Sequence, residues 1–257
     1  KLLVADGSLA FTGGLNIREA YVHQGSDGPY ACDLHFRVQG PVVRELQRQF
    51  ALDWAFETDE KLEGDLWFPE LEPAGSSLAR VLPHGPDEDL GTIVRVLFQA
   101  VMAAEEEVLV ICPYFLPDEA LTAALEAAAQ RGVDVRIVLP ENNEPGLMNP
   151  VTVEDLGPSL SQGVRLGFKP GPFEHTKLTV VDRTWVLLGS SNWDPRSLRL
   201  NFELNVEVYD PALASATLAK VEDVLADVRW LTPADVENRP WIVRVSSRIV
   251  RLLKPYL

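Results

Sequence analysis

His175-Thr-Lys177-Leu-Thr-Val-Val-Asp182, followed by Gly189-Ser-Ser-Asn192 and then by Glu203, gathers the chemistry-bearing residues of the chain into one short stretch. In an extended backbone, residues i and i+2 share a face, so His175 and Lys177 project into one pocket. An imidazole can attack or protonate, and an ammonium can hold a phosphate oxygen. The small-residue turn Gly189–Asn192 brings an amide donor towards the same anion. A carboxylate such as Glu203 is expected to hydrogen-bond the far ring nitrogen and set its tautomer. These residue types at this spacing predict phosphoryl chemistry by histidine. The two cysteines and four scattered histidines lack metal-ligand spacing, so neither a metal nor a cofactor is expected.

Working outward, the same stretch occurs twice. At a shift of 176, Lys1/Lys177, Leu2/Leu178, Val4/Val180, Asp6/Asp182, Gly13/Gly189 and Asn16/Asn192 are identical. Further on, Asp33-Leu-His-Phe-Arg-Val38 matches Glu203-Leu-Asn-Val-Glu-Val208 at a shift of 170, as a six-residue change in one loop would produce. The copies are unequal. Pro69-Glu-Leu-Glu-Pro-Ala-Gly-Ser-Ser77 has linker composition, and behind it the second copy carries a long segment ahead of its motif that the first copy lacks. Residues 1–77 are therefore expected to be the C-terminal part of a first domain plus linker, and residues 78–257 a complete second domain. A matching front half is expected upstream of Lys1 or on a second chain.

Val108–Cys112 and Val135–Leu139 are short β-branched runs, read as buried strands. Alanine-rich Asp118–Arg131 between them has Leu121, Leu125 and Ala128 at helical spacing and stops at Gly132. Strand, helix, strand predicts a crossover unit with parallel pairing. Leu178–Val181, Val186–Leu188 and Leu204–Val208 are expected strands; Val42–Thr58 and Pro211–Leu225 are expected helices.

The motif pair resembles that of the phospholipase D superfamily, His-x-Lys-x4-Asp followed by Gly-Gly/Ser-x-x-Asn. Within it, the bacterial cardiolipin synthases are most similar, on the segments Phe11–Ile17, Gly40–Gln47, Pro113–Asp118, Arg131–Arg136 and Gly189–Glu203. The resemblance covers nearly the whole chain. It implies two α/β domains related by a pseudo-twofold, each a mixed β-sheet sandwiched by helices, with the first domain N-terminally incomplete. It implies a phosphatidyltransferase that joins two phosphatidylglycerols into cardiolipin through a phosphohistidine. One motif histidine would be the nucleophile and the other, His175, the general acid/base. Lys1, Asn16, Lys177 and Asn192 would bind the phosphate. Glu203 would orient His175, and Asp33 the first-motif histidine, which would lie two residues before Lys1. Asp6 and Asp182 would be structural braces. The implied partners are a phospholipid and the surface of the bacterial cytoplasmic membrane, reached peripherally or through a segment absent here. The same chemistry serves phospholipases that hydrolyse to phosphatidic acid, metal-independent nucleases and, without the first histidine, an inactive lipid-binding module.

A net charge of −15 repels polyanions and opposes general nucleic-acid binding. The composition excludes disorder, and no apolar run is long enough to cross a membrane. Cys32 and Cys112 are too few for a disulfide framework, and Cys112 is expected in the core. Residues 239–257 depart from the average: Arg239, Arg244, Arg248, Arg251 and Lys254 occur without one acid. As a helix from Trp241, this tail puts Ile242, Val245, Ile249, Leu252 and Leu253 on one face, and an anionic membrane surface is the expected partner. His23, His35 and His84 are expected to be ordinary histidines, His84 in a Pro-His-Gly-Pro turn and His35 bordering the site. Tyr114 and Phe115 are expected to be packing residues.

Overall fold

Val108 and Val110 alternate with Leu109 and Ile111, so both faces of one strand are apolar, which suits only a strand covered on both sides. The computed structural model describes residues 1–21, 31–86, 91–143, 146 and 148–251, the side chains of Arg248 and Arg251 excepted. His23, Leu252, Leu253 and Lys254 lie outside the described residues. The strands are β1 (Leu2–Ala5), β2 (Leu9–Gly13), β3 (Ala31–Cys32), β4 (His35–Gln39), β5 (Leu78–His84), β6 (Glu107–Ile111), β7 (Asp134–Pro140), β8 (Arg165–Lys169), β9 (Phe173–Glu174), β10 (Leu178–Val181), β11 (Trp185–Gly189), β12 (Glu203–Tyr209) and β13 (Arg229–Trp230). The helices are α1 (Val42–Thr58), α2 (Thr92–Ala103), α3 (Glu119–Gln130), α4 (Met148–Leu160), α5 (Pro195–Arg199), α6 (Pro211–Lys220), α7 (Glu222–Ala226), α8 (Pro233–Glu237) and α9 (Trp241–Arg251).

One eight-stranded sheet runs β13-β8-β7-β6-β10-β11-β12-β5. Strands β6, β7 and β8 pair in parallel and the rest antiparallel, so the fold is mixed α/β. The crossover helix between β6 and β7 is α3; Asp118 caps it by accepting from the Leu121 N–H at 2.9 Å, and Gly132 ends it at φ +97. Val108 and Val110 face one apolar cluster with Leu97, Leu125 and Leu156 of α2, α3 and α4. Leu109 and Ile111 face the other, which contains Ala10, Val43 and Leu46 from the N-terminal segment.

That segment forms a separate three-stranded sheet, β1-β2-β4. It is antiparallel throughout, and residues 1–77 hold no described counterpart of the parallel strands β6–β8. The repeat does recur in the pairing. Leu2 opposes Thr12 as Leu178 opposes Leu188, and Gly13 opposes His35 as Gly189 opposes Asn205. Both glycines are needed: at φ +150 and +156, a Cβ would fall 2.5 Å from the Leu34 carbonyl oxygen and 2.4 Å from that of Leu204.

Two local expectations are corrected. Pro211–Leu225 is not one helix; it breaks into α6 and α7 at Val221, which leaves helical geometry where it anchors in the core at 2% exposure. His84 is the last residue of β5, not a turn residue, because the β5 ladder to β12 extends to His84 opposite Glu203.

Candidate active site

The short parallel ladder of β3 on β9 pairs Cys32 with Glu174, and the His175 N–H donates to the Cys32 carbonyl at 2.7 Å. The next residue along β3's chain is Asp33, so the ladder sets Asp33 beside His175. The imidazole Nδ1 lies 2.8 Å from Asp33 Oδ2, and the carboxylate is fully enclosed. An ionised carboxylate only accepts, so Nδ1 carries the proton and Nε2 presents its lone pair. Asp33 fits because residue 14 is glycine: a Cβ there would sit 2.5 Å from Asp33 Oδ2 and 2.8 Å from Oδ1.

This pairing corrects the expected one. The carboxylate on His175 is Asp33, from the first copy of the repeat, and not Glu203 from its own. Glu203 instead accepts from the Ser190 hydroxyl and from Asn201 Nδ2 at 3.3 Å. Ser190 is the repeat counterpart of Gly14, so the second carboxylate has a hydroxyl partner where the first has only space. Each acid follows its own motif at a similar spacing, six residues longer in the first copy; chain crossing decides which ring Asp33 meets.

Lys177 is buried beneath His175, its Nζ donating to the His175 carbonyl at 2.7 Å. Burial pulls its pKa down to about 8, against the opposing pull of the Asp33 charge. The Lys1 ammonium lies near enough to lower the pKa of Lys177 and of His175. His175 itself is held below the ordinary histidine value, by burial first and by Lys177 and Lys1, while Asp33 acts the other way. A neutral imidazole between two ammonium groups suits a proton acceptor or a nucleophile facing an anion.

Asn192 follows the small-residue turn at the end of β11. Its Nδ2 donates to Ser197 Oγ at 3.3 Å, and its Oδ1 is 3.8 Å from the thiol of Cys112. Cys112 is in the core as expected, its thiol pushed up to about 12 by burial. Asn16 bonds to the Tyr21 side chain, whose ring stands edge-on to His175 at 6.1 Å between centroids. Asp182 is held as a brace: its carboxylate accepts from the backbone N–H groups of Glu105, Glu106 and Glu107 at 2.8–2.9 Å. Asp6 shares its left-handed backbone, φ 53 against 49. Phe115 is stacked on Trp193 in the core. His35 is exposed, and the Asp33 charge acts on it.

Sequence reasoning missed Tyr21, Phe173 and Glu174. Phe173 stands 5.6 Å from the His175 ring and 6.4 Å from Tyr114, forming an aromatic wall. Glu174 is buried beside Cys32, with its carboxyl pushed up by burial. Phe173 and Glu174 adjoin the motif histidine and could have been flagged; Tyr21 had no local signal. A cleft of about 570 Å³ elsewhere, lined by Asn143, Asn149, Arg229 and Arg239, includes none of these groups.

This fold and this histidine–lysine site are those of a phospholipase D-type domain. Of solved structures, phosphatidylserine synthase from Haemophilus influenzae Rd KW20 matches the whole chain and 70% of its own with a TM-score of 0.74 at 17% identity. The phospholipase D family member Nuc from Salmonella typhimurium matches 61% of this chain and 99% of its own, with a TM-score of 0.52 at 25% identity. A family model described as cardiolipin synthase, PLD-like domain, matches residues 97–225. Cardiolipin synthase 1 of Staphylococcus aureus (strain COL) is 34% identical and cardiolipin synthase of Geobacillus thermodenitrificans (strain NG80-2) 32% identical, each across the whole chain. The chain belongs to the family of cardiolipin synthase phospholipase D-like domains. It spans 52% of the length of each of these two relatives.

Proposed function

We propose that this chain carries one side of a phosphatidyl-transfer site, which joins two phosphatidylglycerols into cardiolipin and releases glycerol. His175 is the general acid/base, oriented by Asp33. Lys177, Lys1, Asn192 and Asn16 bind the phosphate, while Asp182 and Asp6 brace the hairpins. The nucleophile is a histidine two positions before Lys1, outside these residues, and Glu203, whose charge reaches the Lys1 backbone amine, is the carboxylate that would orient it. The observation that carries the reading is the enclosed Asp33–His175 pair beside two ammonium groups.

His175 enters the cycle as the imidazolium, protonated on Nε2 as well as Nδ1. In the first step the nucleophilic imidazole bonds to phosphorus and the glycerol oxygen leaves with the Nε2 proton, returning His175 to its neutral form. In the second, His175 removes the proton of the acceptor's glycerol hydroxyl, whose oxygen displaces the phosphohistidine. The pseudo-twofold relation of two domains, with residues 1–77 ending the first, belongs to the same proposal and is supported by the repeated strand register. The natural full-length protein, incubated with labelled phosphatidylglycerol, is expected to give cardiolipin and glycerol. Phosphatidic acid alone would make it a hydrolase, and no turnover would remove the reading.

A further inference from the structure

Helix α9 has one face seated and one bare. Ser247 is 2% exposed and accepts from Arg239, and Val250 packs on the cluster of Leu116, Met148 and Val151 against α4. On the other side, Trp241, Ile242, Val245 and Ile249 are 72%, 61%, 46% and 61% exposed. At about 100° per residue these four fall within roughly a 100° arc, a continuous apolar stripe. Exposed Arg244 flanks it. A stripe of four large apolar side chains on one helix is not the scattered exposure of an ordinary surface.

Charge selects the occupant. From Arg239 to the end the sequence holds five basic residues and no acid, in a chain of net charge −15. Charges beyond a Debye length are screened, so the local basic run and not the net charge sets the sign at α9, and an anionic lipid surface offers apolar depth and negative headgroups together. No described helix is long and apolar enough to cross a membrane, so the contact is in the plane. The choice of lipid over a protein partner rests in part on the phosphatidyl-transfer reading. We propose that the outer face of α9 docks the protein on an anionic phospholipid bilayer, with Trp241, Ile242, Val245 and Ile249 among the acyl chains and Arg244 at the phosphates.

The test is co-sedimentation of the 257-residue chain with phosphatidylglycerol–phosphatidylcholine vesicles and with pure phosphatidylcholine vesicles. Binding is expected to the first, weaker binding to the second, and loss with added salt. Ile242→Glu and Ile249→Glu should each lower the partition roughly tenfold or more, and Arg244→Gln about fivefold, with unchanged circular dichroism since these side chains are exposed. Trp241→Phe should keep binding and lose most of the fluorescence blue shift. No sedimentation with phosphatidylglycerol vesicles, equal binding to both vesicle types, or indifference to Ile249→Glu would overturn the proposal. So would self-association abolished by Ile249→Glu in a chain that ignores vesicles. Vesicle binding needs no turnover, so a chain that docks without making cardiolipin refutes only the proposed reaction. Turnover of detergent-dispersed lipid without vesicle binding refutes only the docking.

Discussion

Replacing Asp33 by Asn tests the site at its narrowest point. The carboxylate has no solvent contact, its Oδ2 is 2.8 Å from His175 Nδ1, and its Oδ1 has no hydrogen-bond partner among the described residues. All of its charge therefore acts on its neighbours. A hydrogen bond to a charged group contributes about 1.5–3 kcal/mol, or roughly 10- to 150-fold. Asn adds a second effect. Its amide can donate to Nδ1, which moves the ring proton to Nε2, the nitrogen that faces the site. Acid–base help at the reacting oxygen is worth about 10²–10⁴-fold, and turnover of the full-length protein should fall within that range. The direction of the pH effect is fixed. Asp33 raises the His175 pKa, so its removal moves that pKa further down and carries whichever limb of the profile His175 sets to lower pH. Nitrogen-15 spectra of the imidazoles report the tautomer independently of turnover. A folded Asp33→Asn variant with unchanged tautomer and turnover would refute the assignment.

Gly14→Ala should reproduce much of that loss, because its methyl would fall 2.5 Å from Asp33 Oδ2 and push the carboxylate off His175; the imidazole spectrum checks it. Lys177→Met should stabilise the fold while abolishing turnover. Holding a buried ammonium whose pKa has dropped from 10.5 to about 8 costs about 3 kcal/mol, only partly offset by its bond to the His175 carbonyl, so a melting temperature several degrees higher is expected by calorimetry. Between about pH 8 and 10.5 the unfolded chain holds the Lys177 proton and the folded one does not; wild-type stability should therefore gain from this group as pH rises through that window, and the Met variant should lack the gain. Asp182→Ala strips three backbone N–H groups of their acceptor and should cost about 3 kcal/mol in urea unfolding, leaving the His175 spectrum in place.

Legibility followed the range of the forces involved. The β6–α3–β7 unit was readable because burial on both faces writes a continuous apolar run, and because Asp118 and Gly132 punctuate the helix. The spacing of His175, Lys177, Asp182 and Asn192 was readable because one hairpin holds them. Short, partly polar strands such as β8 and β13 carry no such signature, since each is defined by its neighbour. The break at Val221 likewise comes from anchoring in the core, which overrides a good local helix sequence. The partner of His175 was misread for the same reason. Asp33 and His175 are 142 positions apart, and among the described residues the two-pair β3–β9 ladder and the bond from the His175 N–H to the Cys32 carbonyl set them side by side.

That ladder has a further consequence for how the chain is divided. The linker composition at 69–77 invites a cut there, yet the His175 ring takes its orientation from Asp33, on the N-terminal side. The same side also supplies Ala10, Val43 and Leu46 to the cluster that covers Leu109 and Ile111. Residues 78–257 alone would therefore expose part of one face of the central sheet, the rest staying under α6 and α7, and leave the His175 imidazole without its carboxylate. They would still hold His175, Lys177 and Asn192 in sequence. The site depends on packing across that line, and its chemistry belongs to the apposed segments rather than to the motif.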